Sequence, residues 1–248
     1  MSLGRFFKLN SGYRIPAIGL GTWLSKPHEV ESAVESALRA GYRHIDAAAC
    51  YLNENETLKD LQTDYLDLYP IHWPVTFEHT NETLTPVDPV SKRFRSANVP
   101  MADTWKVLEK LVKAGKVKSI GTAEIPPAVN QIEAHPYLQQ AKLTQYSKDK
   151  NILTIAADLQ KDPAAVLISW TVQRGTAVLP KSVTPSRIKS NFQDFVIPDS
   201  EFEDLNKLDK NQRYNYLSRW GIDVFGELGA EEAERRAEEY AAGLRAAT

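Results

Sequence analysis

Three side chains able to carry a proton stand at the ends of apolar runs. Asp46 and Tyr51 lie five residues apart at the C-terminal end of RHIDAAACY, and His72 stands at the end of YLDLYPIHW. Carboxyl, phenol and imidazole groups are common general acids and bases. Each also has a plainer reading: a strand-end cap for Asp46, a packing ring for Tyr51, a satisfied core histidine for His72. The Asp46–Tyr51 spacing gains weight only if other strings stand in the right order. A second group of residues, LPKSVTPSRIKSN, runs from an apolar stretch into a helix. Thr184 is a good N-cap and Pro185 a good first helical residue, and a helix N-terminus attracts phosphate through its free N–H groups. Lys181 and Arg187 belong to the same turn, although such a pair is more often plain surface charge. The single cysteine, Cys50, excludes an intrachain disulfide and a cysteine zinc cluster. It reads as a small buried side chain, and no metal site is expected.

The elements that must position these residues follow one pattern. FFKLN and YRIPAIGL are short apolar runs separated by Ser11-Gly12, which predicts an N-terminal β-hairpin. A helix is expected from about His28 to Arg39, with Val30, Ala33, Val34, Ala37 and Leu38 on one face and Gly41 as its stop. RHIDAAAC then reads as a buried strand. Strand, helix, strand with short connections is the βαβ signature of a parallel sheet. The pattern recurs: NETLKDLQT, ADTWKVLEKLVKAGK, PAAVLISWTVQRG and TPSRIKSNFQDF read as helices. YLDLYPIHW, VKSIGTA, PAVNQIEAH and TAVLPKS read as strands. Pro70 falls inside one of them, where it cannot donate a ladder hydrogen bond. Residues 75–101 form a long polar loop with three prolines, and 227–248 are a charged tail, either a solvated helix or a disordered end. One connection fails: four residues, Glu124 to Pro127, separate SIGTA from the next strand, and a parallel crossover needs about a dozen.

Bulk properties narrow the function classes. Net charge is −2, with 30 basic and 32 acidic residues, which gives no sign of a nucleic-acid partner. No run of 18 apolar residues exists, and the N-terminus has no long apolar stretch of the secretory kind. The expectation is a cytoplasmic monomer without membrane partners.

In order, the strings GLGTW, RHIDAAACY, LKDLQTDYLDLYPIHWP, AVNQIEAHPYL and LPKSVTPSRIKSN resemble an aldo-keto reductase, and RYNYLSRWGIDVFGE is similar to fungal members. The resemblance runs from about Phe6 to Glu227. It implies a TIM (β/α)8 barrel over residues 1–226, and reduction of an aldehyde or ketone by hydride from NADPH. It implies Asp46, Tyr51 and His72 as catalytic residues, with Tyr51 as proton donor. A phenol with a pKa near 10 is a poor donor at neutral pH unless a cation eases its loss. Gly21, Thr22, Gln131, Lys181, Ser182, Val183, Thr184, Arg187 and Asn191 are implied for the cofactor. Lys181 and Arg187 fall to the extra phosphate, Asn191 to the adenine and Gln131 to the carboxamide. Trp23 and Trp73 are implied as walls of the substrate pocket.

The resemblance has gaps. They fall after Glu56, after Thr122 and near Leu153, so the barrel is expected to be incomplete. The family's lysine and its nicotinamide-stacking tyrosine have no counterpart. Lys59 matches an ordinary helix lysine, and NIL is expected to run directly into a helix beginning TIAADLQ. His135 is read as structural. The alternatives to an active reductase are a non-catalytic NADP-binding or interaction protein and a non-functional truncated product.

Overall fold

The chain opens with an antiparallel hairpin, β1 (Phe6–Lys8) on β2 (Arg14–Pro16), Phe6 opposite Pro16. Gly12 makes the turn at a φ of +88°, where a side chain would be strained. Asp194 anchors the hairpin: its buried carboxylate accepts hydrogen bonds from Leu3 N–H and from the Arg5 guanidinium at 2.7 and 3.1 Å. The computed structural model describes residues 3–26, 28–51, 62–121, 127–149, 153–157 and 164–247. It contains two compact units, Met1–Ile71 with Trp105–Arg213, and His72–Thr104 with Tyr214–Thr248.

In the first unit, seven short strands follow the hairpin: β3 (Leu20–Gly21), β4 (Ile45–Asp46), β5 (Leu66–Pro70), β8 (Val117–Gly121), β9 (Val129–Glu133), β10 (Leu153–Ala157) and β11 (Ala177–Val178). Parallel ladders join β3 to β4, β5 to β8, β9 to β10 and β10 to β11. Parallel bridges Ile18–Val178 and Gly21–Lys181 carry the sheet from β3 to β11. The resulting order, β4-β3-β11-β10-β9, places neighbours as a rolled parallel sheet requires. Among the described residues no ladder joins β4 to β5, and the expected gap after Glu56 and the helix NETLKDLQT lie mainly outside them.

One expectation changes. The run expected to enter a helix directly instead forms β10, with Leu153–Ala157 paired residue by residue to Val129–Glu133. Thr154 and Ile155 are β-branched, and the strand fills a slot that would leave the edges of β9 and β11 open. The difficult connection lies mostly outside the described residues, and among those described no ladder joins β8 to β9. Ala128 N–H bonds Ile120 C=O at 3.0 Å, so the end of β8 meets the start of β9. A full parallel register is not formed there, as the short connection dictates. Pro70 is the last residue of β5, opposite Gly121, a position that tolerates a missing donor.

Several helices bury apolar faces. α1 (Glu29–Ala40) buries Val30, Ala33, Val34 and Ala37 at helical spacing, while Leu38 lies off that face and is exposed. Gly41, at φ +108°, caps it by donating to Ala37 and Leu38. α2 (Met101–Lys113), α3 (Ala141–Asp149), α4 (Ala164–Gln173), α5 (Pro185–Asn191) and α6 (Asp199–Asn206) follow. Trp170 of α4 is fully buried, its indole N–H donating to Asn206 Oδ1 at 2.9 Å. α1 packs on α5, and Ile18, Val34, Ile168, Val178 and Ile188 share one core with Tyr42.

The second unit is less bare than a loop. β6 (Thr76–Phe77) pairs antiparallel with β7 (Ser96–Ala97), and Val87 bridges Phe94. The long polar stretch expected without structure thus carries a short ladder, because Phe77 and Phe94 pack on each other and on Trp220. The last residues form α7 (Ala230–Ala246), which buries Ala233, Ala237 and Ala241. Asp223 orders the turn that leads into it, accepting from Leu228 and Gly229 N–H at 2.9 and 2.8 Å. Glu232 pairs with Arg236 at i,i+4, while Arg235 turns to Glu232 and Glu239.

One buried hydrogen bond in the first unit gives a direct stability test. The last carbonyls of a helix lack intrahelical partners, and Tyr42 O–H donates to Ile188 C=O of α5 at 2.9 Å. Tyr42 is fully buried and stacked on Phe192 at 4.3 Å. Tyr42→Phe keeps the ring and strands the carbonyl, which costs about 1–3 kcal/mol. Urea unfolding should show a loss in that range, and an unchanged midpoint would mean the bond contributes nothing.

Candidate active site

The C-terminal ends of β4, β3 and β11 lie side by side. Gly21 pairs with Asp46 on one flank and bridges Lys181 on the other. The approach is close: a Cβ on Gly21 would sit 3.0 Å from Leu179 O and 3.5 Å from Lys181 Cβ. Thr22 is buried and fastens the same level, its N–H and Oγ1 both donating to Asp46 C=O, at 3.2 and 2.8 Å. Beyond Asp46 the chain turns into a 3-10 helix (Ala49–Tyr51), where Tyr51 N–H bonds Ala48 C=O at 2.9 Å. The Tyr51 side chain is half-buried.

Asp46 is half-buried, and its carboxyl is the perturbed group of this cluster. Loss of water raises its pKa from 3.8 to about 6, partly offset by a hydrogen bond from the Gln131 side chain. Gln131 stands on β9, with Val129 and Glu133 on the same face by strand alternation. Further along that face Glu133 is held by His135 Nε2 at 3.1 Å and faces Arg213 at 3.8 Å, all three side chains buried. His135 thus has a structural partner, in keeping with its plain reading.

The LPKSVTPSR turn lies directly after β11. Lys181 is half-buried and Ser182 buried, with Ser182 Oγ accepting Thr184 N–H at 3.1 Å. Val183 packs against the core and Asn191 is buried. Thr184 is the N-cap of α5 and Pro185 its first residue, as the sequence predicts. The Thr184 side chain makes no capping bond, and its N–H donates to Ser182 Oγ. Arg187 is exposed in the first turn and has no carboxylate partner among the described residues. Trp23, on the other side of Thr22, is 50% exposed, a large apolar surface beside the strand ends.

His72 and Trp73 belong to the second unit. His72 is exposed by area, yet the atoms around its ring exclude enough water to lower its pKa. Trp73 meets Trp220 edge-on at 6.1 Å and Phe225 at 6.1 Å. The sequence reading did not single out Trp220 or Phe225. Their signal is a pair of aromatics five apart in RWGIDVF, a spacing that fits no helix face or strand alternation. Lys59 lies outside the described residues.

Parallel strands roofed by helices, with a carboxyl, a phenol and a cationic turn at their C-terminal ends, define an α/β-barrel enzyme. The comparisons place it further. Residues 53–160 match the model of the aldo/keto reductase family. An uncharacterized oxidoreductase of Schizosaccharomyces pombe is 34% identical, covering 90% of this chain and 94% of that protein. The D/L-glyceraldehyde reductase of Hypocrea jecorina is 33% identical over 91% of this chain and 95% of its own. The solved aldose reductase of Schistosoma japonicum is 35% identical and superposes with a TM-score of 0.81, over 90% of this chain and 99% of that one. The chain belongs to the aldo/keto reductase family, oxidoreductases that use nicotinamide cofactors, and its fold is the TIM barrel of that family. The alignment with the S. pombe protein runs over 303 positions against 248 residues here, so the relative has segments this chain lacks.

The Asp46 carboxyl makes stability depend on pH. Its folded pKa, about 6, lies above the ordinary 3.8. Between those values the folded chain keeps a proton that the unfolded chain has lost, so raising the pH through this window favours unfolding. The shift contributes at most about 3 kcal/mol, present below pH 4 and lost above pH 6. Asp46→Asn removes this part of the slope. The urea midpoint at pH 4 minus that at pH 7.5 should therefore be smaller, as a signed difference, in the variant than in the wild type, and equal signed differences would contradict the assignment.

Proposed function

We propose that this chain reduces an aldehyde or ketone to the alcohol with NADPH, Tyr51 giving the proton to the carbonyl oxygen. The observation that carries the reading is the convergence of Asp46, Lys181 and Gln131 around the end of β3, with Tyr51 five residues beyond Asp46. The residues present suit the cofactor. Lys181 and Arg187 supply two cations within one strand-to-helix turn, and Arg187 is exposed and has no carboxylate partner among the described residues, which leaves its guanidinium open to a phosphate. An arginine fork suits a bidentate phosphate contact, which favours the extra phosphate of NADPH over NADH.

Bound NADPH supplies a hydride to the carbonyl carbon. The chain's own residues do the rest. Tyr51 Oη donates the proton that neutralises the developing charge on oxygen, and we assign His72 to orienting the carbonyl. Gln131 holds the carboxamide of the ring, Asn191 the adenine, and Lys181 to Thr184 the backbone turn around the phosphate. Gly21 and Thr22 keep the strand end flat against the cofactor. Trp23 and Trp73 wall the substrate pocket and select apolar carbonyl compounds. In this reading residues 1–226 are the reductase portion and 227–248 an appended charged helix. The protein works as a cytoplasmic monomer; among the described residues no helix is long and apolar enough to cross a membrane.

Two variants test the roles separately. Tyr51→Phe should lower kcat by about 10²–10⁴, the usual worth of general acid catalysis, while NADPH still quenches tryptophan fluorescence with the wild-type Kd. Lys181→Ala with Arg187→Ala should weaken NADPH about tenfold or more and leave NADH nearly unchanged, since one charge-assisted phosphate contact is worth that much. A wild-type rate in Tyr51→Phe, or equal loss of both cofactors, would overturn the corresponding role.

A further inference from the structure

We propose that α7 is a brace that fixes the position of Trp73, and that Arg93 is the positioning residue through which it acts. The inference rests on the reading of Trp73 as a wall of the substrate pocket. All of its parts lie within the second compact unit.

The contacts form an unbroken path. Arg93 Nη2 meets Glu234 of α7 at 2.6 Å, and Nη1 meets Glu238 at 3.4 Å. Glu238 is shared with Arg245, which also donates to Ser91 C=O, so the far end of the helix grips the same segment. The Arg93 guanidinium lies flush against the backbone beside Trp220. Gly221 sits there at φ +72°, and a Cβ on it would come within 2.8 Å of Arg93 Nη2. Phe94, next in sequence, stacks on Tyr240 of α7 and touches Trp220 at 6.4 Å. Trp220 in turn meets Phe77 edge-on at 4.9 Å and Trp73 at 6.1 Å with an interplanar angle of 90°.

Trp220 depends on this packing for its orientation. Its indole N–H is buried and finds no acceptor among the described residues. No hydrogen bond fixes the ring, so its neighbours do. A shift of Arg93 moves Gly221, Gly221 carries Trp220, and Trp220 sets the tilt of Trp73. A charged C-terminal helix thereby reaches an aromatic wall that it does not itself form, and the carboxylates on it govern how tightly apolar substrates are held.

The test uses the full chain and two aldehydes, 4-nitrobenzaldehyde, which needs the wall, and propanal, which does not. Arg93→Met, and separately Glu234→Gln with Glu238→Gln, should raise KM for 4-nitrobenzaldehyde about fivefold, the scale of one lost edge-to-face ring contact. The KM for propanal, kcat and the Kd for NADPH should stay within about twofold, as expected for sites that do not share partners. Arg93→Lys should restore most of the preference. The Kd of 4-nitrobenzaldehyde, read by tryptophan quenching, should change in parallel, which makes the test independent of turnover. Unchanged aldehyde preference in both charge variants, while Trp73→Ala alters it, would overturn the brace and leave the wall intact. An unchanged preference in Trp73→Ala would overturn the wall itself, and the brace with it. A uniform loss across both aldehydes and NADPH would reduce α7 to a stabilising element and also refute the proposal.

Discussion

The close approach of three strands at Gly21 is the constraint on which the site depends. β3 runs between β4 and β11, and its last residue faces Asp46 on one side and Lys181 on the other. The strands come near enough that even a methyl group on Gly21 would press on Leu179 O. Strand register therefore does the aligning: once β3 is paired on both flanks, a carboxyl and an ammonium group stand at one level at the C-terminal end of the sheet. Thr22 fixes that level by returning two hydrogen bonds to the Asp46 carbonyl. The Gly21-Thr22 pair thus has structural work to do, whatever else it contacts.

The electrostatics of the cluster follow from its neutral partner. A carboxylate facing a cation would be held ionised. Asp46 has lost water and receives a hydrogen bond from an uncharged amide, Gln131, so its pKa rises toward neutrality. The bond also turns the Gln131 amide N–H toward the carboxyl. The same strand face carries the buried Glu133–His135 pair near Arg213, two residues beyond Gln131.

Much of this was legible in the sequence, and the limits have physical causes. The hairpin, α1, the amphipathic α2 and the parallel alternation follow from local periodicity and turn residues, which act over a few positions. Thr184 and Pro185 mark the start of α5, although the Thr184 side chain makes no capping bond. β10 was missed because TIAA reads equally as helix or strand, and the open slot between β9 and β11 decides it only in three dimensions. The same holds for β6 and β7: their strands are two residues long and depend on aromatic packing with Trp220, more than a hundred residues away. The Asp46–Gln131 bond joins two strands distant in sequence, and neither residue type signals the other.

The central claim is that a hydride acceptor, a phenol and a dinucleotide phosphate share the end of one rolled sheet. The most direct measurement is a single-turnover reaction with NADPH deuterated at both C4 positions and an aryl aldehyde, analysed by mass spectrometry. The account predicts an alcohol with one deuterium on its carbinol carbon, formed in step with NADP⁺. Saturable NADPH binding with no deuterated alcohol would contradict it.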